Sequence, residues 1–171
     1  MNALLITATN YDDSEVLYPY YRMLEEGFSV DVASFEKGIV TGKKYFSITA
    51  NISVEEIDVT KYDCLMLPGG TAPEKLRQNP FVLEAVKYFF KNNLPVASIC
   101  HGQQILISAG VLKGINATCY PGIKDDIILA GAIYKDERVV VDNNLITSRC
   151  PEDLPYFMCE FLKKCNSMYW L

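Results

Sequence analysis

Cys100, His101 and Gly102 stand between two stretches of different periodicity, a placement that suits a thiol nucleophile. Residues 95–99, Pro-Val-Ala-Ser-Ile, are short, apolar and partly β-branched, which predicts a fully buried strand. From Gln103 the apolar spacing changes to Ile105, Leu106 and Ala109, which predicts a helix ended by Gly110. Cys-His-Gly is then a sharp elbow from strand to helix, holding a nucleophile at the C-terminal edge of a sheet, and Gly102 lets neighbouring backbone approach closely. The unpaired N–H groups and positive dipole end of the helix favour a thiolate, predicting a thiol pKa below its usual value of about 8.5. A free cysteine is often only a small buried apolar residue. The elbow and the chain's single histidine next door favour the nucleophile.

Other segments have chemistry that makes sense beside a thiolate. Gly69-Gly70, at the end of the apolar run 64–68, can present N–H groups to a developing oxyanion, as can the N–H of His101. Glu15 follows the loop after the first strand, where its carboxyl could face the sulfur; protonated, it would donate to the thiolate and have a raised pKa. His101 poses a problem of geometry, because adjacent residues at a tight turn usually point apart. Its ring must curl back to serve as a base for Cys100, and it needs an orienting acid, for which Glu74 is the best candidate. Tyr120 is a further candidate for the same crevice. Asp125-Asp126 reads as a helix-start pair rather than a catalytic dyad.

The elements that must position these residues follow from patterning. Residues 2–8 and 29–34 read as strands flanking a helix from about Glu15 to Glu26, capped by Asp13 or Ser14 and ended by Gly27. Pro19 falls in its first turn or just beyond. Residues 35–54 read as short strands in an antiparallel excursion, and 54–62 includes a short helix. Residues 64–68 form a strand; Phe81–Phe90 is helical with Phe81, Ala85 and Phe89 on one stripe; 137–148 is two strands around a turn at 142–144; 152–165 is a last helix. Helices alternating with buried strands predict an α/β sandwich with a mainly parallel sheet, whose site lies outside the carboxyl ends of the strands.

The totals exclude several classes. With 171 residues, 50% of them hydrophobic, the chain predicts one domain over 1–171. A net charge of −5 and no basic run argue against a nucleic-acid surface, and no apolar stretch approaches the roughly 20 residues of a membrane span. The start reads as a first strand rather than a signal peptide. Of the six cysteines, Cys64 and Cys100 fall in predicted core strands, which argues against a disulfide framework, and a single histidine with no Cys-x-x-Cys argues against a structural zinc site. The expectation is a soluble, cytoplasmic domain that needs no metal or cofactor.

Three motifs in order, Leu67-Pro-Gly-Gly-Thr-Ala-Pro-Glu74, Ala97-Ser-Ile-Cys-His-Gly102 and Tyr120-Pro-Gly-Ile-Lys-Asp-Asp126, resemble the ThiJ/PfpI superfamily, and closely its PfpI-type intracellular protease branch. The segment Glu15 to Ser34 and Ser148-Arg149 match as well, so the resemblance spans nearly the whole chain. It implies a flavodoxin-like, class I glutamine amidotransferase-like α/β/α sandwich. It implies Cys100 as nucleophile, His101 as base, Glu74 from a neighbouring subunit as the orienting acid, and Glu15 as the carboxyl beside the sulfur. Gly70 and His101 would supply oxyanion N–H groups, and Tyr120 would line the pocket. A borrowed Glu74 implies a homo-oligomer, dimeric at least and hexameric in the active form. Gln103 departs from the branch, which usually has proline there; both residues suit a first helical turn, so little functional change is expected. The apolar end, Met168-Tyr-Trp-Leu171, is expected to pack on its own core or on a partner subunit.

Three functions compete. A cysteine hydrolase acting on peptide or amide bonds comes first. A cofactor-independent glyoxalase or deglycase acting on 2-oxoaldehydes through Cys100 and Glu15 follows closely. A redox sensor built on a Glu15-bonded thiolate is third, disfavoured because a sensor needs no base.

Overall fold

The buried apolar runs become strands of one sheet, and the amphipathic runs between them become its flanking helices. In the computed structural model, which describes residues 1–167, the chain begins β1 (Asn2–Ile6), α1 (Asp13–Glu25), β2 (Ser29–Ser34), β3 (Gly38–Thr41), β4 (Ser47–Ala50), β5 (Ile52–Ser53), β6 (Cys64–Leu67). It continues α2 (Ala72–Leu76), α3 (Pro80–Lys91), β7 (Val96–Ile99), α4 (Gln103–Ala109), β8 (Asn116–Ala117), α5 (Lys124–Leu129), β9 (Ile133–Tyr134). It ends β10 (Val139–Asp142), β11 (Leu145–Ser148), α6 (Leu154–Ser167). The expectation for Met168–Leu171 lies outside the described residues.

The main sheet has the order β10-β11-β7-β6-β1-β2-β5, parallel throughout except for the antiparallel edge hairpin β10–β11. Strands β6, β7 and β11 are buried at every position, as strands covered on both faces must be. Helices α1 and α6 pack together on one side, and α2, α3 and α5 gather around α4 on the other. The result is the flavodoxin-like α/β/α sandwich. From β1 the chain moves outward to β2 and β5, then returns to the other side of β1 as β6. That reversal opens a crevice beyond the carboxyl ends of β1 and β6, next to β7.

Several local details differ from the sequence reading. Residues 54–62 make two single 3₁₀ turns, Val54–Glu56 and Val59–Lys61, not one helix. In α3 the buried stripe is Val82, Ala85, Val86 and Phe89, while Phe81 in the first turn is exposed. The cap of α1 is Asp12, whose Oδ1 accepts from the N–H groups of Ser14 and Glu15. Helix α1 therefore starts early enough that Pro19 lies beyond its first turn. Asp13 instead accepts from the Lys44 and Phe46 N–H groups at 2.8 and 3.0 Å, fastening the β3–β4 turn to the start of α1. The antiparallel excursion is this β3–β4 hairpin, while β5 returns to the main sheet.

Candidate active site

Three loops meet at the crevice. The loop after β1 is tied to the one after β6 by a bridge between Tyr11 and Gly70 and by the Thr71 N–H donating to the Asn10 carbonyl at 3.0 Å. Strand β7 then runs straight into Cys100, which begins the 3₁₀ turn Cys100–Gly102 before α4. Cys100 has φ +60°, a left-handed conformation that costs a non-glycine residue energy and is kept where a nucleophile is held at an elbow. Gly102 makes the elbow possible, because a Cβ there would collide with the Leu67 carbonyl of β6 and lie 2.8 Å from Ser98 Oγ.

Around the sulfur stand Glu15, His101 and two backbone amides. Glu15 is completely buried in the first turn of α1, and its Oε2 accepts the Gly69 N–H at 2.8 Å. This corrects part of the oxyanion expectation: the Gly69 N–H is occupied by a carboxyl and is not free for substrate. Gly69 contributes by lacking a side chain, since a Cβ there would strike Glu15 Oε2 and come within 2.8 Å of Cys100 Cβ. The N–H groups of Gly70 and His101 face the Cys100 sulfur. The other Glu15 oxygen, Oε1, is buried without a well-formed hydrogen bond, with the Cys100 thiol near enough for each group to perturb the other.

Burial, reinforced by Asp12, raises the Glu15 pKa to about 8, against the opposing pull of the Gly69 N–H. Burial, together with the Glu15 charge, pushes the Cys100 thiol up as well; the His101 and Gly70 amides offset this only in part. The expected depressed thiol pKa is therefore not what the surroundings produce, because desolvation outweighs the helix end. Glu15 and Cys100 each perturb the other: when Glu15 holds its proton, its repulsion of a thiolate disappears. Burial also raises Cys119 to about 12 and Cys150 to about 11, so Cys100 is distinguished by its strained backbone and its partners.

The His101 ring does curl back, placing Nδ1 3.3 Å from Cys100 Sγ. Its far face stacks on Tyr120, with centroids 4.7 Å apart and planes at 28°. Burial and then Lys43 lower its pKa, with Glu74 opposing, so the ring is neutral near pH 7 and can accept a proton. Glu74 is exposed on α2, and its carboxylate makes no hydrogen bond to His101 within the chain. Lys43, in the turn between β3 and β4, acts on both Glu15 and His101. The sequence offered no motif for Lys43; only the hairpin's position over the crevice reveals it. Among the described residues no group of three His, Cys, Asp or Glu is placed to hold a metal ion.

Fold and site together define a class: an open α/β protein with a cysteine at a strand-to-helix elbow, a neutral histidine against the sulfur and a buried carboxyl beside it. The DJ-1/PfpI family model matches residues 1–164, and the chain belongs to that family. It is 48% identical over 163 residues to a Pyrococcus furiosus protein named deglycase PfpI, covering 95% of this chain and 98% of the relative. It is 40% identical over 161 residues to a Bacillus subtilis protein provisionally named as the cysteine protease YraA, covering 94% and 95%. Schizosaccharomyces pombe DJ-1 superposes with a TM-score of 0.88 at 26% identity, over 99% of this chain and 97% of that one. A two-domain protein of Anabaena variabilis with DJ-1/ThiJ/PfpI-like and ferritin-like domains gives 0.94 at 34%, over 96% of this chain and 48% of that one.

Proposed function

We propose that the chain is an enzyme whose Cys100 thiolate attacks a carbonyl carbon, and that its substrates are small 2-oxoaldehydes and their adducts. The observation that carries this is Glu15: a buried carboxyl, protonated up to about pH 8, beside the sulfur. Such a group donates to the sulfur as it ionises and supplies or receives a proton once the sulfur has added. The name deglycase on the P. furiosus relative supports the same reading.

In this reading the neutral His101, 3.3 Å away, takes the thiol proton as Cys100 Sγ adds to the aldehyde carbon and passes it to the carbonyl oxygen, whose developing charge meets the Gly70 and His101 N–H groups. His101, neutral, takes the hydrogen of that carbon as a proton, and it is returned to the adjacent carbonyl carbon. The aldehyde carbon is thereby oxidised to a thioester while its neighbour is reduced to an alcohol. Water cleaves the thioester, releasing a 2-hydroxy acid and restoring the thiol.

Peptide or amide hydrolysis, which the sequence places first, moves to second. His101 would have to return a proton to a leaving amine, and no acid among the described residues bonds it. A second copy would have to bring its Glu74 to His101, and we propose a homo-oligomer, from dimer to hexamer, for that activity. The name of the B. subtilis relative favours this reading. Two variants separate the two. Glu15→Gln should weaken methylglyoxal turnover strongly, and Glu74→Gln should selectively impair cleavage of a fluorogenic peptide. Equal losses on both substrates in both variants would refute the division.

A further inference from the structure

Gln103, at the position where the resembling branch usually has proline, is completely buried as the first residue of α4. Its Nε2 donates to the carbonyls of Thr118 at 2.8 Å, Ser148 at 3.0 Å and Ser98 at 3.2 Å. Its Oε1 accepts from Ser98 Oγ at 3.4 Å. The orientation of the amide follows from its surroundings, because three carbonyls can only accept and the hydroxyl can donate. Two N–H bonds serve three acceptors, so the longest contact, to Ser98, is shared.

These acceptors come from three elements of the crevice. Ser98 lies in β7, two residues before the nucleophile. Ser148 ends β11, the neighbouring strand. Thr118 lies two residues before Tyr120, whose N–H donates to the Cys100 carbonyl at 3.3 Å and whose ring stacks on His101. A single carboxamide thus ties the strand that delivers Cys100 to the segment that delivers the ring packed on His101. The Thr118 N–H donates to Thr147 Oγ1 at 3.0 Å, so the amide of Gln103 and a side chain of β11 hold this segment from two directions.

We infer that Gln103 is a positioning residue: it holds the Tyr120 segment against the Cys100 elbow and thereby fixes the His101 ring over the sulfur. The inference rests on the reading of Cys100 and His101 as the reacting pair, and it reverses the expectation that glutamine in place of proline matters little. Misplacing a base by a fraction of an ångström lowers kcat without weakening substrate binding.

The chain's single histidine makes a direct test possible, because its ring Hε1 resonance is unambiguous. The experiment compares wild type, Gln103→Met, which keeps the volume without donors, and Tyr120→Leu, which removes the stacked ring. In Gln103→Met the resonance should move toward its position in Tyr120→Leu, the rate of Cys100 alkylation by iodoacetamide should change, and kcat on methylglyoxal should fall roughly ten-fold with KM within two-fold. Gln103→Glu supplies a second variant. Protonated, it regains one donor, so its resonance should approach that of wild type at the same pH as the pH falls. A lower thermal midpoint with the histidine resonance and alkylation rate unmoved would reduce Gln103 to a structural role and overturn the inference. Failure of wild type to consume methylglyoxal would count against the proposed function, while the resonance and alkylation would still decide Gln103.

Discussion

The two sides of the sulfur are built in opposite ways. On one side Glu15 is sealed in, its helix capped by Asp12 and its Oε2 held by the Gly69 N–H. Loops of one chain close it completely. On the other side His101 is half-buried, Tyr120 is 41% exposed, and Glu74 stands in solvent without a bond to the histidine it would orient. On the proposed reading the buried side needs no second copy to hold and move a proton. On the open side no acid among the described residues bonds His101, so on the same reading an orienting acid comes from a second copy. Aldehyde chemistry, for which the sealed carboxyl and an imidazole held by Tyr120 suffice, is on that reading self-contained, while hydrolysis, for which His101 needs an orienting acid, is tied to assembly.

Glu15→Gln tests the buried side, with the largest expected effect apart from loss of the sulfur itself. Methylglyoxal turnover should drop about 100-fold, as removal of a positioned proton donor does. In wild type the rate should fall as pH rises through about 8, where Glu15 ionises, and the variant should lose that limb. Stability should move the other way. A carboxyl whose folded pKa is about 8 contributes stability that is complete below its ordinary value of 4.5 and disappears as pH rises to about 8. Glu15→Gln should therefore be more stable to unfolding than wild type at pH 7 by roughly 3 kcal/mol, with the gap closing near pH 4. A variant no more stable at pH 7 would show that the buried carboxyl is not held protonated.

The open side responds to different changes. Tyr120→Leu should lower methylglyoxal turnover about ten-fold, because the imidazole loses the ring that packs its far face. Glu74→Gln should leave methylglyoxal turnover within two-fold, while any peptide cleavage falls and loses its dependence on protein concentration. Lys43→Gln should have the smallest effect, moving both limbs of the pH–rate profile upward, since the ammonium lowers the pKa of both Glu15 and His101. A downward movement would mean that Lys43 does not face these groups.

What was legible in the sequence follows the same division between local and non-local causes. Strand β2 occupies the expected residues, and β6, β7 and the elbow fall where apolar runs meet glycine or proline, because burial and backbone freedom are written locally. The β10–β11 hairpin and its turn at 142–144 were equally readable. The roles of Asp12, Asp13 and Gln103 were not, since each depends on which distant carbonyl or N–H the fold delivers. The sequence points to Asp13 or Ser14 as the cap, but the β3–β4 turn takes Asp13 and the helix starts at Asp13 with Asp12 as its cap. The Gly69 N–H looked free because no local pattern shows that a carboxyl 54 positions earlier reaches it. The raised thiol pKa is hidden from the sequence for a related reason: a helix end is visible there, whereas the depth of burial that outweighs it is not.

The most direct test of the central claim is side-by-side turnover of methylglyoxal and a fluorogenic peptide by wild type and Cys100→Ser, on the purified protein at fixed concentration. The account predicts that wild type consumes methylglyoxal and that Cys100→Ser loses that activity by roughly a thousand-fold or more. Methylglyoxal consumption that survives in Cys100→Ser, or peptide cleavage lost with Cys100 while methylglyoxal is untouched by either protein, would contradict it.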